Sequence, residues 1–492
     1  MKSRICQLGY SRLGSSQGIT RRTALVGAAA TGLSVWQERG FAETSRPFPH
    51  VVVLVPGILG SELQRGGKLI WGVGINPLIS IAQAGSLDMQ ELRFGPPTDP
   101  PVVATSLFPT TTIVPGFWKV DGYTEVRRAL LGQLELSERK NYFEFAYDWR
   151  LDNRVAARQL VTRGHEWLGA WRESTKNKDA KLVVVAHSMG GLVARYACEV
   201  LGLRKDVQVV VTMGTPYQGS YKCLERLVNG FVTAGLTQTL KSFDSTYQLL
   251  PTYPCIEVDG GAARTVAQER AVLQDFIDMN RVQQVGASFH AECSSAAEAN
   301  RSDPVSMSWL VTQASTHVTP SFGKLRDGKL SVWMRDKSRP TGGDGTVPGY
   351  RLGQPVANSV AFGAMHCNQL HGSMQNDSTV IRNIVDTIKT GIQAGSKSGD
   401  PLSFSVPDVV RVNEPFQITL NSERPADVPT TCRIENVATN ELVSNAALQL
   451  KPGEQDVESS IAMPIPGVFR FVVQSGGRSI CSDLLAVVSA RA

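Results

Sequence analysis

The sequence predicts an α/β fold with a mainly parallel sheet, followed by a smaller all-β module. Three observations predict it. Short β-branched runs alternate with amphipathic helical stretches over most of the chain. A turn of small residues carrying a serine lies between one such run and the next helix. After residue 400 the helical pattern gives way to closely spaced alternating segments. Continuous apolar strands must be covered on both faces, and strand–helix–strand repetition supplies that cover.

The elements follow in order. VVVLV at 51–55 reads as a buried strand running into the turn Pro56-Gly57. Residues 141–147, KLVVVA at 181–186 and VQVVVTM at 207–213 read as further strands. Leu151, Val155, Ala156, Leu160, Trp167, Leu168 and Trp171 recur at about a helical turn, and residues 192–201 are good helix formers. The alternation breaks from about 217 to 336, which is expected to be a cap. Residues 65–112, with two proline pairs, read either as a lid or as a surface excursion. A weak strand is expected at 359–362. An amphipathic helix is expected at 377–391, from Val380, Ile381, Ile384, Val385 and Ile388. A Gly/Ser/Lys linker at 394–400 then leads into FSVPDVVRV, FQITLNS, TCRIENV, GVFRFVVQS and LLAVVSA, which suggest a small β-sandwich over 400–492, separable from the chemistry.

The chain has 492 residues, 42% hydrophobic and 19% charged, with a net charge of +6. No basic stripe tracks phosphates, so nucleic acid is not an expected partner. Arg21-Arg22, an apolar run from Ala24 to Trp36, and Gly40-Phe41-Ala42 describe an export signal over 1–42, of the twin-arginine kind. The run falls short of the roughly 20 apolar residues of a membrane span. The mature chain is therefore expected to be exported, periplasmic or secreted, without a transmembrane segment and with membrane association left open. The main domain is expected over 43–393. Eight cysteines include Cys432 with Cys481 and Cys255 with Cys293 as possible pairs. None has metal-ligand spacing, so no metal is expected, and no cofactor.

The chemistry-bearing segment is Val185-Ala186-His187-Ser188-Met189-Gly190-Gly191, between a strand and a helix. Small residues two before and two after the serine permit a sharp turn that projects Oγ. Ser188 is thus the expected nucleophile. Asp344, between glycines in Gly342-Gly343-Asp344-Gly345, is the expected orienting acid. The base is His371 or His366; both fall after the expected weak strand and before the last helix. His371 is the first choice because a turn and helix start directly follow it. His187, one residue before the serine, is expected to point elsewhere. Backbone donors for a developing oxyanion are expected from Met189 and from Ile58, in the turn Pro56-Gly57-Ile58-Leu59-Gly60.

Several segments together resemble the lecithin:cholesterol acyltransferase family, which includes phospholipid:diacylglycerol acyltransferases and lysosomal phospholipase A2. They are VVLVPGILGSEL at 52–63, VPGF at 114–117, AYDWRL at 146–151, AHSMGG at 186–191, GTPYQGS at 214–220 and GDGTVP at 343–348. The resemblance spans roughly residues 50–390 and leaves out the β module. Ala186 stands where the family's serine motif usually has glycine. The resemblance implies an α/β-hydrolase fold with cap and lid, and acyl transfer from a lipid ester or lipid aggregate through an acyl-serine. It places Ser188, Asp344 and a histidine of 366–371 in the triad, and Met189 and Ile58 at the oxyanion. Asp148-Trp149-Arg150 matches a family signature and reads here as scaffold. A general carboxylesterase or triacylglycerol lipase is the alternative, and a non-catalytic lipid-binding protein the remote one.

Overall fold

A central sheet of six parallel strands organises the main domain. In the computed structural model the strands are β1 (Val51–Val55), β2 (Tyr142–Glu144), β3 (Leu182–His187), β4 (Val207–Met213), β5 (Ser308–Ala314) and β6 (Phe362–Cys367). Their order is β6-β5-β4-β3-β1-β2, with every neighbouring pair parallel. The structure describes residues 48–72, 92, 100–109, 112–114, 118–230, 234–258, 260–302, 307–326, 328–331, 342–349, 362–390, 402–422 and 428–489. The expected export signal and the 394–400 linker lie outside these residues, as does most of the VPGF motif. All the described residues fall in one compact unit, and none of the described helices is long and apolar enough to cross a membrane.

β1 and β3 are buried at every position, as apolar runs covered on both faces must be. The covering helices include α1 (Thr124–Gln133), α2 (Asn153–Thr175) and α3 (Met189–Arg195). Asp152 caps α2 by accepting the Arg154 N–H at 2.8 Å, and Lys176 ends it in a left-handed conformation. Ala156, Leu160, Leu168 and Trp171 form its buried stripe, on the expected spacing.

The stretch 65–112 contributes strands at its two ends. Ser61–Arg65, Lys68–Trp71 and Val102–Leu107 form a small antiparallel sheet. The region read as a cap holds the helices α4 (Tyr221–Asn229), α5 (Ala234–Ser242), α6 (Asp244–Gln248) and α7 (Ser288–Ala299). One correction follows: β5, inside the 217–336 stretch, belongs to the central sheet between β4 and β6. Its sequence, SWLVTQA, has only three consecutive apolar residues. Thr312 and Gln313 are nonetheless buried there, so the strand lacked the apolar run that marked the others.

β6 begins at Phe362, the last residue of the weak strand expected at 359–362, and runs on to Cys367, with His366 opposite Gln313; residues 359–361 lie outside the described residues. After it comes α8 (Ser378–Thr390), with all five expected apolar residues buried. Asp377 starts this helix, its Oδ1 accepting from the N–H groups of Thr379 and Val380 at 3.0 and 2.8 Å.

Eight strands follow: β7 (Leu402–Ser405), β8 (Val409–Arg411), β9 (Phe416–Ser422), β10 (Thr430–Asn436), β11 (Leu442–Leu450), β12 (Asp456–Ile461), β13 (Gly467–Ser475) and β14 (Arg478–Val488). They form a three-stranded sheet, β7-β9-β12, and a five-stranded one, β8-β14-β13-β10-β11. Phe404, Ile418 and Leu420 of the first share a hydrophobic cluster with Ile434, Phe469, Phe471 and Leu485 of the second. This cluster is distinct from the main one. Cys432 faces Val473 across one strand pair and Val473 faces Cys481 across the next. The two cysteines are therefore two strands apart, roughly 9–10 Å, beyond disulfide reach. Both are free, as are Cys255 and Cys293, which corrects both possible pairings.

The β module joins the main domain through a polar seam. The Lys119 ammonium donates to Val406 O at 3.3 Å and pairs with Asp408 and Asp483 at 3.0 Å each, using all three protons. Burial lowers the Lys119 pKa, but the charges of Asp483 and Asp408 outweigh that and leave it raised. Arg470 pairs with Asp121 through two hydrogen bonds.

Candidate active site

Ser188 stands at the end of β3, directly before α3, with φ 53° and ψ −125°. This is a strained turn for a residue with a Cβ, and such strain concentrates at functional sites. The glycines beyond it are required by contact. A Cβ on Gly190 would sit 2.4 Å from Pro56 O, and one on Gly191 2.0 Å from Thr215 Oγ1. Thr215 in turn donates to Ser188 O at 3.0 Å, tying the turn to the segment after β4.

Three of the predicted side chains meet in a line. Asp344 Oδ2 lies 2.7 Å from His371 Nδ1, and His371 Nε2 lies 3.0 Å from Ser188 Oγ. The Asp344 carboxylate is fixed from behind, its Oδ1 accepting from Thr346 N at 2.9 Å and Val347 N at 2.6 Å. The His371 N–H donates to Asp344 O at 2.9 Å, so main chain and side chain are paired with the same residue. Because Nδ1 faces a carboxylate, it carries the proton, and Nε2 presents a lone pair to the Ser188 hydroxyl. Ser188 is fully buried, and Asp344 and His371 are 2% and 3% exposed. In so dry a setting each polar contact counts for more than it would in water.

His366, the alternative base, is not part of this line. It sits on β6, half-buried, opposite Gln313. A strand position cannot swing its side chain to the loop edge that His371 occupies.

Met189 is the first residue of α3, so its N–H has no partner within the helix. The turn 56–60 packs on the serine: a Cβ at Gly57 would lie 2.9 Å from Ser188 Cβ. Within it Gly60 donates to Gly57 O at 3.1 Å, and Leu59 is left-handed at φ 63°. Ile58 is fully buried in the same turn.

Sequence reasoning missed the contacts that four residues make around this line. Gly214, at φ 59°, packs against Asp344 and His371; a Cβ there would be 3.0 Å from both Asp344 Oδ2 and His371 Nδ1. A glycine directly after an apolar strand was the available signal. Tyr123 gave no signal at all. His187 does point away from Ser188 Oγ, as expected, but runs to the main chain of His371, with Nε2 3.0 Å from His371 O. Gln369 is 3% exposed and pairs with β14, giving a hydrogen bond to Ile480 O at 3.0 Å and accepting one from Ser482 N at 3.2 Å. The Asp148–Arg150 pair, at 2.6 Å, and Trp149, whose indole N–H donates to Ser61 O at 2.9 Å, are held in the scaffold.

A protein-family model matches residues 125–268, a stretch that includes Ser188 and the helices α2 to α6. The match is to lecithin:cholesterol acyltransferase. The matched family is the one expected from the short motifs. An uncharacterized protein of Saccharomyces cerevisiae, YJR098C, is 28% identical over 170 residues, 34% of this chain. The matched stretch is 23% of that relative's length. Among solved structures, the mature lipase BlEst2 of Bacillus licheniformis is 12% identical over 70% of this chain and 93% of that one, with a TM-score of 0.29. A superoxide reductase (neelaredoxin) of Ignicoccus hospitalis is 14% identical over 18% of this chain and 80% of that one, with a TM-score of 0.15. Both are loose likenesses.

Proposed function

We propose that the chain is a serine-dependent enzyme of the α/β-hydrolase kind that transfers or hydrolyses acyl groups of lipid esters. The observation that carries this reading is the Asp344–His371–Ser188 line at 2.7 and 3.0 Å, built on a strained serine turn. His371 Nε2 takes the hydroxyl proton as Ser188 Oγ attacks the ester carbonyl. The oxyanion that forms is met by the N–H groups of Met189 and Ile58. His371 then returns the proton to the departing alkoxide, leaving an acyl-serine. A second nucleophile, activated by the same imidazole, takes the acyl group; water makes the enzyme a lipase or phospholipase, an alcohol makes it an O-acyltransferase. The lecithin:cholesterol acyltransferase match over 125–268 favours a lipid ester as donor. The reading includes export, with residues 1–42 removed, and a C-terminal sandwich made of the two β-module sheets.

A fluorophosphonate probe tests the nucleophile. Wild type should be labelled and Ser188→Ala should not. Profiling acyl donors in vesicles, with and without a long-chain alcohol, then separates transfer from hydrolysis. Labelling of Ser188→Ala at the wild-type rate sinks the proposal. N-terminal sequencing of exported protein tests the signal, and an intact Met1 refutes its removal.

A further inference from the structure

A buried chain of hydrogen bonds connects the turn 56–60 to the histidine loop. The Gly57 N–H donates to Tyr123 Oη at 2.8 Å. Tyr123 Oη lies 3.0 Å from His187 Nδ1, and His187 Nε2 lies 3.0 Å from His371 O. The protons in this chain have one arrangement. A carbonyl oxygen only accepts, so His187 Nε2 carries the ring proton and donates it to His371 O. Nδ1 of the neutral ring then accepts the Tyr123 hydroxyl proton, and the phenol oxygen is left to accept from Gly57. Burial keeps both groups uncharged. It lowers the His187 pKa to about 3, with His371 adding to the effect, and it raises that of Tyr123. Tyr123 is 1% exposed and His187 fully buried.

The main chain beside Tyr123 is tied to the same loop. Asp121 N donates to Gly372 O at 2.8 Å, and the Gln375 side chain donates to Gly122 O at 3.0 Å. One short segment therefore touches the residue after the base through its backbone and the serine-facing turn through its side chain.

We propose that Tyr123 and His187 are positioning residues that hold the turn 56–60, with its Ile58 N–H, at a set distance from the His371 imidazole. This rests on the acyl-serine reading above. Neither residue touches the ester. With the hydroxyl gone, Gly57 N–H loses its acceptor and the turn its tether, so the oxyanion donor is misplaced while the ester-binding surface is unchanged.

The test is the kinetics of Tyr123→Phe on 4-nitrophenyl butyrate, together with inactivation by a 4-nitrophenyl phosphonate. Losing one oxyanion donor costs about 100- to 1,000-fold, so misaligning one should lower kcat by about 10- to 100-fold. KM should hold within a factor of about two, and phosphonate inactivation should slow in parallel, because the phosphonyl oxygen occupies the oxyanion position. Unchanged kcat and inactivation in Tyr123→Phe overturn the proposal. So does a rise in KM at constant kcat. A second pair of variants keeps the test open if Tyr123→Phe does not fold. His187→Gln retains an N–H for His371 O and an oxygen for the phenol, and should keep kcat well above that of His187→Phe; equal rates overturn the proposal. Failure of the acyl-serine reading itself is distinct, because then wild type goes unlabelled or Ser188→Ala is labelled.

Discussion

At the scale of single residues, the site depends on a few atoms with no room to spare. Ser188→Ala removes the proposed nucleophile at a fully buried position without adding volume, so folding should survive while turnover falls on the order of a millionfold. His371→Ala should match it on a short-chain ester, and His366→Ala should stay near wild type, since only His371 reaches Ser188 Oγ. A dead His366→Ala beside an active His371→Ala would refute the assignment. Gly214→Ala is the sharper probe. Its methyl would press at 3.0 Å on both Asp344 and His371, on a backbone at φ 59° that disfavours a side chain. A kcat loss larger than that of most surface substitutions, with His371 and Ser188 intact, is the expected result; wild-type kcat would show that the pair tolerates displacement. Ser188, Asp344 and His371 were legible because glycine-flanked motifs and chain order speak through local sequence. Tyr123 and Gln369 were not. Their partners lie 66 and 111 residues away, and nothing near a tyrosine or glutamine advertises such a bond.

At the scale of elements, the β module does more than follow the main domain. The Gln369 side chain bonds β14 at Ile480 and Ser482 two residues before His371. It adds what amounts to one more peptide unit to that strand's hydrogen bonding. The same glutamine donates to Asp377, which starts α8. The histidine loop is thus held between the last helix of the main domain and the last strand of the module. A module wholly separable from the chemistry, the expectation from a Gly/Ser linker, sits poorly with these contacts. The linker's composition spoke of flexibility, whereas the seam's ion pairs join residues more than 280 positions apart. Lys119→Met tests the seam. Removing one partner of a buried pair costs about 3–5 kcal/mol, because the remaining charge stays buried. Asp483, whose pKa burial already raises, would lose the ammonium that favours its charged form. A markedly lower midpoint in urea is expected, with ester turnover falling alongside as the histidine loop loosens. An unchanged midpoint would mean that the seam contributes nothing to cohesion.

At the scale of the whole molecule, buried neutral histidines should make the fold acid-sensitive. Burial lowers the pKa of His187 to about 3 and that of His290 to about 4, and it lowers that of His317 as well. An unfolded histidine titrates near 6.5. Between the folded and unfolded values the unfolded chain binds more protons, so stability rises with pH across that window. The stability these groups permit is fully present above about 6.5 and drains away as pH falls towards the folded value. Carboxylates with raised pKa values, among them Asp377, Asp483 and Glu144, slope the other way from about 4 upward. A single variant isolates the histidine contribution from theirs. His290 lies in α7, its Nε2 donating to Gln248 O at 2.8 Å. His290→Gln keeps a donor but does not titrate. At pH 7 it should be somewhat less stable than wild type, from imperfect packing. By pH 4 that deficit should shrink by on the order of 3 kcal/mol, since only the wild type carries the cost of keeping residue 290 uncharged. Urea midpoints for the two proteins at half-unit intervals from pH 4 to 7.5 measure the difference directly. A deficit that stays constant across the range would mean that His290 titrates alike in the folded and unfolded chain, and that its burial carries no linkage to pH.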